Sequence, residues 1–140
     1  MAVNNVASKN NSYNIIISIK PAYADMILNK KKRYEFRKHG FKKQIDKVFI
    51  YSTKPVGKIV GYFTFDSVLK GTPMEIWEIC SEYAGILEDD FYRYFEGAKI
   101  AFAININRVF EIERPISPSN VIEGFKGPRS FIYTPVNFPV

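Results

Sequence analysis

From Ala98 to Ile106 the side chains alternate without a break. Ile100, Phe102, Ile104 and Ile106 fall on one side, and Lys99, Ala101, Ala103, Asn105 and Asn107 on the other. A period of two fits an extended strand with one face buried and does not fit a helix. The remaining apolar runs of the chain are short and bounded by turn residues. Tyr13–Ile19, Val48–Tyr51, Lys58–Phe65 and Ser130–Tyr133 read as strands, and Arg33–Lys38 alternates again, with Tyr34 and Phe36 opposite Arg33, Glu35 and Arg37. About six strands without regular helical crossovers disfavour a doubly wound parallel sheet. They predict an α+β chain built on a small closed or nearly closed β-barrel, with two or three short helices at its rim.

The helices announce themselves by their ends. Pro21 suits a first helical position, where no hydrogen bond is lost, and Ala24, Ile27 and Leu28 share one face of Pro21–Asn29. Thr72-Pro73-Met74-Glu75 carries a capping Thr, a Pro in the first turn and a Glu three residues on, and predicts a helix that turns Ile76, Trp77, Cys80 and Ala84 inward and ends near Gly85. A second short helix, Glu88–Phe95, stacks Leu87, Phe91 and Phe95 at four-residue spacing, with acids in its first turn and Gly97 beyond its end. Gly61 lies inside a predicted strand, where a neighbour can approach closely. At 140 residues there is room for one domain. The expected division is a flexible tail over 1–13, a folded domain over 14–133 and a Pro-broken tail over 134–140.

Composition narrows the chemistry. One Cys and one His leave no intramolecular disulfide and no Cys/His metal cluster, so neither a metal nor a cofactor is expected. No phosphate loop of the G-x-x-x-x-G-K type occurs. No apolar run is long enough to span a bilayer and Met1–Asn14 lacks an apolar stretch, so no membrane association is expected and a cytoplasmic location is. The formal net charge of +6 is unevenly spread. Residues 1–70 carry 14 basic and 4 acidic side chains, and residues 71–140 carry 6 and 10. A basic half on a small domain concentrates polyanions, of which nucleic acid is the commonest.

Lys20–Arg37 is the most informative stretch. It sets Lys20, Lys30, Lys31, Lys32, Arg33 and Arg37 around Tyr23, Tyr34, Glu35 and Phe36. A carboxylate held between cations stays ionised and fixed in direction. Such a group can accept from the exocyclic amine of a base, while cations take phosphate. Tyr23, Tyr51, Ser52 and Ser130 are further candidates for the wall of such a pocket, the aromatic faces serving to stack a base; Phe131 reads as barrel core.

The segment from Ser18 through Lys20-Pro21-Ala22-Tyr23 and Lys32-Arg33-Tyr34-Glu35-Phe36-Arg37 resembles the opening of ASCH domains, members of the PUA-like superfamily. Val48–Val56, Ile59–Phe63, the Trp77 helix, Phe91–Gly97 and Pro128–Tyr133 resemble later segments of that family in the same order. The resemblance implies a PUA-like β-barrel with a cleft between the first helix and the barrel, and binding of RNA or a modified nucleotide. One branch of the family hydrolyses the acetyl amide of acetylcytidine with a Lys, a Thr three residues later and a Glu from the helical insert. By position Lys32 matches the Lys and Glu82 the Glu, but the Thr position holds Glu35, and a carboxylate does not replace a hydroxyl nucleophile in simple amide hydrolysis. The Gly usual two residues before the Lys is Lys30 here.

Three function classes stay open on these residues. The first is an RNA- or nucleotide-binding domain using Lys20, Tyr23, Lys32, Glu35, Arg37, Tyr51, Ser52 and Ser130. The second is a hydrolase on a modified nucleoside or on RNA, with Lys32, Glu35 and Glu82 as its acid–base groups. The third is an interaction module that presents acidic residues 75–96 to a protein partner.

Overall fold

The computed structural model describes residues 12–138; most of the tail expected over 1–13 lies outside them. Six strands form one sheet: β1 Tyr13–Ile19, β2 Tyr34–Arg37, β3 Ile45–Ser52, β4 Lys58–Gly71, β5 Ala101–Ile116 and β6 Phe131–Thr134, in the order β2-β5-β4-β3-β1-β6. Only the β1–β3 pair is parallel; every other neighbour is antiparallel. The sheet curls into a half-barrel around Ile15, Ile17, Ile27, Val48, Ile50, Phe63 and Ile104. Helix α1, Pro21–Leu28, lays Ala24 and Ile27 on this core. Gly61 meets the expectation of close approach: a Cβ there would stand 2.5 Å from the Phe110 carbonyl oxygen and 2.8 Å from Leu28.

Between β4 and β5 the chain leaves the barrel as a helical insert, α2 Pro73–Cys80 and α3 Glu88–Tyr94, joined through a short 3-10 turn at Ser81–Tyr83. The capping box is present: Glu75 N–H donates to Thr72 Oγ1 at 3.2 Å and Thr72 N–H to Glu75 Oε1 at 2.9 Å. Ile76, Cys80, Ala84, Phe91 and Phe95 pack on Phe36, Ala101 and Ala103 in a second core. Leu87 departs from expectation, because it precedes α3 as its N-cap and stays exposed.

Two strands differ from the sequence reading. β4 runs on to Gly71, irregular in its pairing with β5, where the residues suggested a stop near Phe65. The alternating strand is covered on both faces near its start: Ile104 enters the barrel, and Ala101 and Ala103 are fully buried under the insert. Small side chains let helices come close to the sheet, so a face that reads as neutral in sequence becomes a packing surface. After β6, Phe138 is buried with its ring 5.0 Å from that of Phe49.

Candidate functional site

The two edges of the curled sheet come together at Arg37. Its guanidinium donates from Nε and Nη2 to Glu35 Oε2, from Nη2 to the Ser18 carbonyl at 2.9 Å, and from Nη1 to Ser130 Oγ at 3.2 Å. Edge strand β2 is thereby tied to β1 and to the residue preceding the opposite edge strand, β6. Four of the five N–H groups of the side chain are used within the protein. Glu35 Oε1, by contrast, accepts no hydrogen bond from the described residues. It lies 4.0 Å from Lys32 Nζ. The cations around the carboxylate are therefore Lys32 and Arg37. Arg33, expected to share that face, instead stacks its guanidinium 4.3 Å from the Tyr83 ring centroid, because it precedes β2 and is bound to the insert through its N–H to the Tyr83 carbonyl at 2.9 Å.

Lys32, 2% exposed, is the most deeply buried cation of the site. Its Nζ donates to the Ala84 carbonyl at 2.6 Å and stands 4.9 Å and 5.3 Å from the ring centroids of Phe36 and Tyr23. Burial pushes its pKa below the ordinary lysine value; Glu35 opposes that shift and Arg37 adds to it. Gly85 makes the burial possible. It sits at φ +64°, and a Cβ there would be 2.5 Å from Lys32 Cβ. The chain enters this arrangement through a tight turn after α1, in which Lys30 holds φ +66°.

These residues form the floor of a cleft of about 620 Å3, walled by Lys20 at the start of α1, Tyr23 of α1, Phe36 of β2, Thr53, the segment Pro128–Arg129, and Ile86, Asp90, Arg93 and Tyr94 of the insert. Burial, Asp90 and Glu35 together raise the Tyr23 pKa; burial foremost raises that of Tyr94. Five cations and two carboxylates line the cleft, and the Arg93–Asp90 pair at 2.8 Å lies in its exposed part. Of the residues expected from sequence, Lys20, Tyr23, Lys32, Glu35 and Arg37 line this space together, and Ser130 touches it through Arg37. Tyr51 packs on Phe125 instead, Ser52 is buried beside the β3–β4 turn, and Glu82 is exposed on the insert; none of the three lines the cleft. The sequence reading did not single out Asp90, Arg93 or Tyr94. Their helix was legible, but no periodicity says that it folds over β2. Among the described residues, no three His, Cys, Asp or Glu side chains converge as a metal ion would require.

The ASCH domain family matches residues 17–111, which include the whole Lys20–Arg37 stretch. The chain belongs to the ASCH family. This ASCH domain is 28% identical to a Zymomonas mobilis protein named ASCH domain-containing ribonuclease, over 76% of this chain and 70% of that one. It is 30% identical to a Ureaplasma parvum protein named large ribosomal subunit protein uL22, over 85% of this chain but only 38% of that protein. The crystal structure of the Zymomonas mobilis ASCH protein superposes with a TM-score of 0.81 at 26% identity, covering 86% of this chain and 87% of the other. The half-barrel with its inserted helices is thus the fold of a solved ASCH protein.

Proposed function

We propose that the cleft of this ASCH domain binds a nucleotide of single-stranded RNA, with the base directed inward to Glu35 and the phosphate outward. The observation that carries the reading is the free Oε1 of a buried carboxylate whose other oxygen is fixed by Arg37. A fixed, uncapped carboxylate oxygen is a site for an N–H donor, and amine-bearing base edges supply one. Arg37 is nearly saturated, so it is a poor phosphate ligand; exposed Lys20 and Arg129 at the rim are better placed. The rings of Tyr23 and Tyr94 supply aromatic walls against which a base can lie. Titration with the four 5′-mononucleotides tests this. Glu35→Gln is expected to weaken binding of GMP, CMP and AMP about tenfold, the scale of one hydrogen bond to a charged group, and of UMP less. Equal affinity of wild type and variant for all four removes the assignment.

A second reading, RNA cleavage, is favoured by Lys32. Burial lowers the pKa of Lys32, so this lysine, with its Nζ 4.0 Å from a carboxylate, gives up its proton more readily than an ordinary lysine, and a relative carries the name ribonuclease. In this reading Glu35 or neutral Lys32 withdraws the proton of the ribose 2′-hydroxyl, that oxygen bonds to the adjacent phosphorus as the P–O5′ bond breaks, and the protonated member of the pair returns a proton to the departing 5′-oxygen. Incubation with RNA, followed by mass spectrometry of the products, decides it. Cleavage that survives both Lys32→Ala and Glu35→Gln excludes this pair.

A further inference from the structure

Just past Arg37 the chain enters a second hollow of about 400 Å3 at the mouth of the barrel. Phe41, Phe65, Val68 and Phe102 supply its apolar walls, and Lys43 and Lys70 stand among its lining residues. Among the described residues, none of those lining it is acidic. Its lysines are held in a particular way. Lys43 Nζ lies 4.3 Å from the Tyr13 ring centroid and 5.2 Å from that of Tyr133, and Lys70 Nζ lies 5.9 Å from that of Phe102. Lys38 Nζ lies 5.0 Å from the ring of Tyr94, which itself lines the first cleft. None of the three joins an ion pair among the described residues. An aromatic face orients an ammonium without neutralising it, so the full charge stays available to an anion.

The two hollows are close. Arg37 lines the first and Gly40 the second, so their backbone positions are no more than about 10 Å apart at full extension. Lys38 lies on the chain between them.

We infer that the barrel mouth is a second nucleotide subsite, which receives a neighbour of the cleft nucleotide in the same single strand of RNA. Lys43 and Lys70 contact its phosphates and the exposed parts of Phe41 and Phe102 contact its base. The inference rests on the cleft reading for its strand, but not on Glu35 for its affinity. Alternating aromatic platforms and unpaired cations are what a single strand needs for binding without sequence readout. The absence of lining acids distinguishes this subsite from the cleft, where a carboxylate waits for one kind of base edge.

The test compares a 5′-mononucleotide with a ten-nucleotide single-stranded RNA, checked intact on a gel, over a salt series by fluorescence anisotropy and calorimetry. Wild type is expected to bind the ten-nucleotide strand at least tenfold more tightly. The double variant Lys43→Ala/Lys70→Ala is expected to lose most of that advantage and to leave mononucleotide affinity unchanged. The slope of log K against log salt should fall by about 1.4, from two lost phosphate contacts on a single strand. Lys43→Arg/Lys70→Arg should keep the slope. An unchanged slope in the alanine variant, or equal affinity of wild type for the mononucleotide and the longer strand, overturns the second subsite and leaves the cleft reading standing. Failure of wild type to bind either ligand overturns both.

Discussion

The cleft and the barrel mouth use lysine in opposite ways. In the cleft, Lys32 is buried, committed to a carbonyl and set close to a carboxylate, and its neighbour Arg37 is nearly saturated. At the mouth, Lys43 and Lys70 are exposed and rest on aromatic rings. Buried charges have no water to fall back on, so each must find its partner and the local geometry becomes nearly unique. Exposed charges keep their hydration and contribute to the field of the molecule rather than to its rigidity. The first arrangement suits selection of one chemical group, and the second suits attraction of a chain of phosphates.

The contrast is most easily broken at Arg37. Arg37→Ala leaves Glu35 buried beside a single distant cation and cuts the tie between the two sheet edges. It is expected to cost about 3–5 kcal/mol, read from denaturant midpoints. Arg37→Lys should recover little, since an ammonium cannot serve Glu35, Ser18 and Ser130 at once. A loss under about 1 kcal/mol in Arg37→Ala would mean that the seam is held by packing alone.

Gly85→Ala comes next. The added methyl meets the Lys32 stem at 2.5 Å and the residue must hold φ +64°. The expected cost is about 2–4 kcal/mol, from left-handed strain together with overpacking. Thermal unfolding of Gly85→Ala beside Gly97→Ala sharpens the point, because Gly97 has a similar φ of +79° and open space around it. The difference between the two isolates the contact with Lys32.

The pH dependence of stability reports the burial of Lys32. A folded-state pKa below the unfolded one means that the unfolded chain binds more protons between the two values. Burial of Lys32 therefore costs stability at pH below its depressed pKa, and stability is regained as pH rises from there toward the ordinary lysine value near 10.5. Cys80, buried and pushed up to about 11, acts in the opposite direction above pH 9. The difference between wild type and Lys32→Met, followed by chemical denaturation as pH rises toward the ordinary lysine value of 10.5, should accordingly shift in favour of wild type.

Two smaller effects complete the comparison. Lys30→Gly relieves a side chain at φ +66° and should stabilise the protein by about 0.5–1 kcal/mol, or about 2–4 °C in melting temperature. Lys43→Ala and Lys70→Ala should each change stability by less than about 0.5 kcal/mol, as exposed substitutions do. A larger loss would show that the mouth lysines belong to the fold.

What the sequence determined by itself was local. Alternation at 98–106, the Thr72–Glu75 capping box, Pro21 and Gly61 act within a few residues of themselves, and each specifies its element through backbone geometry alone. Lys20–Arg37 also announced its chemistry, because acids and cations interleaved with aromatics are rarely placed together without a use. Only the tertiary structure decided which of those groups meet. Arg33 and Arg37 are alike in sequence, yet one stacks outside on Tyr83 and the other closes the barrel. Asp90, Arg93 and Tyr94 enter the cleft because buried Ala101 and Ala103 let the insert settle against the outer face of β5, beside β2. Tyr51 and Ser52 miss the cleft although Thr53, the next residue, reaches it: Tyr51 turns to a separate core with Phe125, and Ser52 is buried. The physical reason is distance along the chain: Ser18, Arg37 and Ser130 are brought together by the closing of a curled sheet, and no short-range pattern in a sequence encodes where its edges will meet.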